Sequence, residues 1–146
     1  MCELSTPICC QYKSGLSVKY FPVLGNINIS LLNEFPLDKI VTADHFELRR
    51  TASKGMNKVA AINSNSEEFQ KESSAYAQGK FDLVFELSGS PSALNDAISL
   101  TCFSGRVVIG SWYGQKRAEI DLGGTFHRSR IKLISSQVSS ISPELS

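Results

Sequence analysis

The sequence predicts an α/β fold: a doubly wound parallel sheet of about six strands with helices on both faces. Short runs rich in β-branched residues, such as KIVTA (39–43) and KVAAI (58–62), alternate with amphipathic stretches of about ten residues. The runs are apolar at nearly every position, which is typical of strands covered on both faces. A chain of 146 residues is long enough to bury the core of one such domain.

The first half of the chain is assigned to a leader, two helices and three strands. Residues 1–16 have no sustained periodicity and are predicted to be an irregular leader to a domain over residues 17–146. The predicted strands are 17–24, 39–43 and 58–62. A short first helix is expected to end before Pro36, and the second helix, 45–55, has Gly55 at the position of a carboxy-terminal cap.

The second half repeats this alternation. Ser64 and Glu67 have the spacing of a capping box, which predicts a helix over residues 67–78. Ser90 and Pro91 are typical of a helix start, and the helix they open is predicted to end at Gly105. Its apolar residues at helical spacing are Leu94, Ala97, Ile98 and Cys102. The remaining predicted strands are 81–87, 106–112 and 131–138.

Composition and charge exclude several classes of function. A net charge of +1 does not favour nucleic-acid binding, and no apolar run reaches the ~20 residues of a membrane span. The amino terminus does not have the pattern of a secretory signal, so we expect a cytoplasmic protein. The four cysteines form no C-x-x-C pair and the two histidines are isolated, so we expect no zinc site in this chain.

The stretch VLGNINIS (23–30) follows the first predicted strand, where a dinucleotide-binding protein has the glycine pattern G-x-G-x-x-G. With Gly25 as the first glycine of this pattern, Ile27 replaces the second and Ser30 the third. The Ile27 side chain would then occupy the space through which the backbone approaches a phosphate. The stretch is interpreted as an eroded cofactor loop whose candidate residues are Gly25, Asn26, Ile27 and Asn28.

Asp44 is the second candidate cofactor residue. It lies 19 positions after Gly25, directly after the second predicted strand. An acidic residue at this distance binds the adenosine ribose hydroxyls in dinucleotide-binding folds. Aspartate is also common at helix amino termini for purely local reasons. The spacing alone favours neither role.

Three motifs that begin at Phe81 and continue to the end of the last predicted strand resemble those of a known family. FDLVFELSGSPSAL, GRVVIGSWYG and FHRSRIKLISSQV are similar to the cofactor-binding domain of the medium-chain, zinc-type alcohol and polyol dehydrogenases, which is Rossmann-like. DKIVTADHFELRR also resembles the second strand and ribose-binding turn of that family. The similarity extends over about residues 18–138.

This resemblance implies roles for individual residues. Asp44 would bind the adenosine ribose, with Arg49 beside the same ribose or a phosphate. The residues expected on the adenine and ribose side of the groove are Leu87, Ser88 and Gly89. Those expected to meet the nicotinamide end through their backbones are Gly110, Ser111, Ser136 and Gln137.

The resemblance implies an NAD-binding domain, with NADP also possible, of an oxidoreductase that transfers hydride between an alcohol and the cofactor. No catalytic residue is assigned to this chain, so a catalytic domain or subunit acting in trans is the expected partner. The alternative is a non-catalytic remnant or interaction module with an eroded cofactor site. The replaced glycines favour this alternative, and Asp44 favours cofactor binding.

Overall fold

A computed structural model of the chain describes residues 15–19, 24–56, 59–77 and 80–136. They form a sheet of six strands in the order β3-β2-β1-β4-β5-β6, and every neighbouring pair is parallel. This doubly wound, Rossmann-like arrangement confirms the predicted fold class. No helix among these residues has the length and apolar character needed to cross a membrane.

The elements alternate along the chain. The strands are β1 (Gly15–Lys19), β2 (Lys39–Asp44), β3 (Val59–Asn63), β4 (Phe81–Glu86), β5 (Thr101–Ile109) and β6 (Lys132–Ser135). The helices are α1 (Leu24–Asn33), α2 (Glu47–Lys54), α3 (Phe69–Ala77) and α4 (Pro91–Leu100), and an irregular helical turn spans Leu122–Phe126.

Helices cover both faces of the sheet, as strand β4 illustrates. Val84 is fully buried in the main core, together with residues of α3 and α4. Its neighbours Leu83 and Phe85 pack on the other side, in a smaller cluster with Leu87 and with Leu32 of α1. Successive side chains of a strand point to opposite faces, so the apolar run of β4 supplies both cores.

The boundaries of the first strand were predicted wrongly, whereas α1 ends at Asn33, before Pro36, as expected. β1 begins at Gly15, so it includes the last two residues assigned to the leader; residues 1–14 lie outside the described ranges. The strand predicted over 17–24 is wrong at its end, because α1 already begins at Leu24. Residues 20–23 of that predicted strand are not among the described residues.

The boundary between α4 and β5 was also predicted wrongly. The helix ends at Leu100 and β5 begins at the next residue, so Cys102 and Gly105 belong to the strand. The Thr101 hydroxyl donates a hydrogen bond of 2.7 Å to the carbonyl oxygen of Ala97 at this junction. No room is left for a side chain at Gly105, where a Cβ would lie 2.6 Å from Cγ2 of Thr101.

The capping box proposed for α3 is contradicted as well. The helix begins at Phe69, five residues beyond Ser64, so Ser64 does not cap it. Ser66 instead accepts a hydrogen bond of 3.2 Å from the backbone N–H of Glu68. A tight turn at Ser66–Glu68 therefore precedes α3, in place of the expected cap.

Candidate dinucleotide-binding site

The strand order defines where a ligand would bind. The chain reverses its direction of progress across the sheet between β1 and β4, and parallel α/β sheets bind ligands in the crevice at the carboxyl ends of strands on either side of such a point. Two acidic residues end strands there: Asp44 ends β2 and Glu86 ends β4. They are the centres of two separate polar clusters.

The Asp44 cluster is built by the turn from β2 into α2. The Asp44 side chain is only 8% exposed, and its Oδ1 accepts a hydrogen bond of 2.8 Å from the backbone N–H of Phe46. Nη1 of Arg49 lies 3.5 Å from Oδ2 of Asp44. The Arg49 guanidinium also stacks over the Phe46 ring at 4.3 Å, and Arg50 donates to the Asp44 carbonyl oxygen at 3.0 Å.

The geometry gives Asp44 a local structural role at the start of α2. Asp44 is the last residue of β2 and not the N-cap of α2, which is Phe46. Its Oδ1 nevertheless holds the turn before the helix. An ionised carboxylate offers about four acceptor positions, and the Phe46 N–H and Arg49 use two of those on Asp44. Its role in binding a ribose stays a prediction.

The first helix changes how the glycine pattern must be aligned. Gly25, Asn26, Ile27 and Asn28 all lie within α1, not in a loop before it. A glycine in the first turn occupies the place of the last glycine of the pattern, which allows close packing of helix on strand. In that alignment the first two glycines correspond to Tyr20 and Pro22, which are outside the described residues. The earlier assignment of Gly25 as the first glycine is wrong.

Ile27 also has a different conformation from the one expected of a loop residue. As a helical residue Ile27 has a negative φ, so it imposes none of the strain expected of a β-branched residue with positive φ. The substitutions that matter are at positions 20 and 22. Proline has no backbone N–H to donate to a phosphate. Among the described residues, the Asp44 carboxylate is the candidate contact for the adenosine half of a dinucleotide, and the residues aligned with the first two glycines lie outside the described ranges.

The Glu86 cluster was not foreseen in the sequence. Glu86 is 0% exposed, and its carboxylate accepts four hydrogen bonds. Oε1 accepts from the backbone N–H and the hydroxyl of Ser88 at 2.7 and 2.5 Å. Oε2 accepts from the Ser111 hydroxyl and the Tyr113 hydroxyl, both at 2.6 Å. One buried acid thus ties the loop after β4 to the loop after β5.

The predicted glycines lie at close contacts between these loops. Gly89 has φ +64°, and a Cβ there would lie 3.1 Å from the carbonyl oxygen of Trp112. A Cβ on Gly110 would lie 2.5 Å from Cδ2 of Leu87. The structure therefore brings Leu87, Ser88 and Gly89 against Gly110 and Ser111, within one half of the sheet. Their roles toward a cofactor remain predictions.

The other predicted residues are dispersed. Ser136 directly follows β6, and its N–H donates to the Ile109 carbonyl oxygen at 2.8 Å. Gln137 lies outside the described residues. Within the described ranges no three histidine, cysteine or acidic side chains form a group suited to a metal ion. A cavity of about 280 Å³ beside Tyr76 is lined by the first residues of β2 and β3, away from the carboxyl ends.

Tyr113 gives a pH-dependent readout of the Glu86 cluster. Burial, then the hydrogen bond to Glu86 and the negative charge of Glu86, raise the pKa of the Tyr113 phenol above its ordinary value near 10. Below pH ~10 the phenol is protonated in both states, and its contribution to the free energy of unfolding is fully present. Above pH ~10 the unfolded phenol loses its proton while the folded one keeps it, so the free energy of unfolding falls with rising pH up to the folded-state pKa.

We therefore expect Tyr113→Phe to lose less stability than the natural chain between pH about 9 and about 11.5. Urea unfolding at the two pH values measures the difference. Tyr76→Phe, on the half-exposed tyrosine of α3, serves as the control. Identical losses in the natural chain and in Tyr113→Phe would contradict the expectation.

Comparisons with known proteins identify related folds. The family of zinc-binding dehydrogenases matches residues 23–145 of the chain. Among solved structures, the chain is similar to 2R,3R-butanediol dehydrogenase from Bacillus subtilis, with 22% identity, a TM-score of 0.76, and coverage of 86% of this chain and 36% of that one. No curated protein sequence has significant similarity to the chain.

Two further structures have the same kind of overlap. An alcohol dehydrogenase from a Thermus species has 17% identity and a TM-score of 0.77, with 85% of this chain covering 36% of that one. A short chain alcohol dehydrogenase from Escherichia coli was solved in complex with NADH. Its identity to this chain is 21% and its TM-score is 0.74, and the match covers 86% of this chain and 36% of that one. The chain thus spans about a third of the length of these structures.

Proposed function

The chain belongs to the family of zinc-binding dehydrogenases and corresponds to their dinucleotide-binding domain, and we propose that it binds NAD in preference to NADP. The observation that carries the proposal is the Asp44 carboxylate at the carboxyl end of β2, held by the Phe46 N–H with acceptor capacity to spare. It would accept hydrogen bonds from a free 2′-hydroxyl of the adenosine ribose and repel a 2′-phosphate.

The nicotinamide ring of a bound cofactor would exchange hydride with an alcohol substrate. Residues of this chain would bind and orient the cofactor, since no catalytic residue is assigned among them. We propose that the catalytic zinc is held by a domain or subunit outside residues 1–146. A substrate among the alcohols or polyols and a location in the cytoplasm are further parts of the proposal.

A second candidate is a non-catalytic module that has lost its cofactor. The observation that favours it is the start of α1 at Leu24, which aligns Tyr20 and Pro22 with two glycines of the phosphate-binding pattern. Each charge-assisted bond lost to the pyrophosphate would cost about 1.5–3 kcal/mol. We therefore expect cofactor binding to be weak, and its absence would favour this second function.

The test is calorimetric titration of the chain and of Asp44→Asn with NADH and NADPH. Asparagine keeps an oxygen for the Phe46 N–H and removes the charge. We expect Asp44→Asn to weaken NADH binding by about tenfold, which corresponds to ~1.4 kcal/mol, and to reduce the preference over NADPH.

The matched control is Glu34→Gln, which also removes one carboxylate. Glu34 follows α1 and is exposed. A helix between parallel strands returns to the amino ends of the strands, opposite the proposed site. Glu34→Gln is expected to bind like the natural chain. Equal binding of NADH and NADPH that does not change in Asp44→Asn would remove Asp44 from the proposed role.

A further inference from the structure

The loop after β5, residues 110–116, is fixed to the sheet on both sides of one aromatic residue. Ser111 and Tyr113 each donate a hydrogen bond of 2.6 Å to the same oxygen of the buried Glu86. Trp112 lies between these two anchors. Both neighbours of Trp112 are thus held on the inner side of the loop, and the Trp112 side chain projects to the outer side.

Two further contacts hold the backbone of this loop. The carbonyl oxygen of Trp112 packs against Gly89, where there is no room for a Cβ without a 3.1 Å contact. Nζ of Lys116 donates a hydrogen bond of 3.0 Å to the Gly89 carbonyl oxygen. The segment that carries Trp112 is therefore tied to the loop after β4 from both ends.

The Trp112 side chain itself is exposed to solvent. It is 91% exposed, although an indole has one of the largest apolar surfaces available for burial. It is also the only tryptophan of the chain. A large planar ring on an anchored backbone, at the carboxyl ends of the strands, has the properties of a platform for a flat ligand.

The strand order indicates which half of the dinucleotide would lie near Trp112. A sheet of order 3-2-1-4-5-6 binds one mononucleotide on each half. Asp44 on β2 belongs to the adenosine half, so the loops after β4 and β5 are left for the other half. Near Asp44 the exposed aromatic ring is Phe46, and Arg49 already covers one of its faces.

We propose that Trp112 is a positioning residue that stacks on the nicotinamide ring of the bound dinucleotide; this rests on the proposed function. Stacking of a flat base on an aromatic side chain contributes about 1–3 kcal/mol. The Glu86 carboxylate acts indirectly, because it holds Ser111 and Tyr113 and thereby fixes the backbone from which the indole projects.

The experiment compares NADH with ADP-ribose, which has the adenosine half and both phosphates but no nicotinamide. Both are titrated against the natural chain, Trp112→Ala, Trp112→Phe and a control, Phe103→Ala. Phe103 is an exposed aromatic residue (56%) near the start of β5, at the opposite end of the strand. Each titration follows heat, so that no variant loses its signal.

We expect Trp112→Ala to weaken NADH binding about tenfold and to leave ADP-ribose binding within about twofold. Trp112→Phe should retain most of the NADH affinity, and Phe103→Ala should change neither ligand. In the natural chain, NADH should quench the fluorescence of the single tryptophan more strongly than ADP-ribose does.

The remaining outcomes separate this inference from the proposed function. If the natural chain binds both ligands and Trp112→Ala leaves the ratio of their affinities unchanged, the stacking role is refuted and cofactor binding stands. If the natural chain binds neither ligand, the proposed function fails and the inference fails with it. An equal loss for both ligands in Trp112→Ala would also refute a contact specific to the nicotinamide.

Discussion

Replacing Glu86 with alanine is expected to lower the free energy of unfolding by about 3 kcal/mol. The substitution removes a fully buried side chain and the acceptor of four hydrogen bonds. Each buried donor left without a partner costs about 1–3 kcal/mol. The relief of a buried charge and rehydration of the exposed parts of the loops offset a portion of this loss.

Urea unfolding measures the effect, and Glu86→Gln is the matched control. Glutamine has the same shape and keeps one carbonyl oxygen, and the two hydroxyls that meet its amide can reverse their direction of donation. We expect it to cost about half as much as alanine. A loss below ~0.5 kcal/mol in Glu86→Ala would show that the cluster does not stabilise the fold.

Gly89→Ala is expected to destabilise the fold by about 2–3 kcal/mol. At φ +64° an L-residue costs about 1–2 kcal/mol relative to glycine. The new Cβ would also press on the Trp112 carbonyl oxygen at 3.1 Å and displace the loop after β5. NADH binding should weaken in the same variant, because the loop that carries Trp112 is displaced.

Gly114 supplies a closely matched control for this prediction. It has φ +60°, and a Cβ there would meet no atom within 4 Å. Gly114→Ala therefore has the conformational cost without the contact, about 1–2 kcal/mol. The difference between the two variants measures the crowding at Gly89. Equal destabilisation by the two substitutions would mean that the loop after β5 moves away from the new methyl group at no cost in free energy.

The sequence predicted the existence and type of the strands and helices better than their ends. Periodicity of apolar residues placed all six strands approximately, including β6, whose side chains are mostly exposed. It failed between α4 and β5. Cys102 is buried like Ala97 and Ile98, so it continued the helical spacing by coincidence. A junction without a loop leaves no polar or glycine signal between the two elements.

The Glu86 cluster was missed because its members are distant in sequence. The partners of Glu86 include Ser111 and Tyr113, at separations of 25 and 27 residues, and only the parallel pairing of β4 with β5 brings them together. The glycine pattern failed for a different reason. A single remaining glycine fits the pattern in more than one alignment, and the start of α1 is needed to choose between them.

The central position of β1 also affects how the chain is made. Leu16 pairs with Ile40 on one side and with Leu83 on the other, so the second edge of β1 has no partner until β4 has been synthesised. At about 5–20 residues per second, a ribosome leaves that edge open for several seconds. Unpaired strand edges are templates for aggregation. Fragments that end between β3 and β4 should therefore aggregate, whereas chains that continue through β4 can close the centre of the sheet.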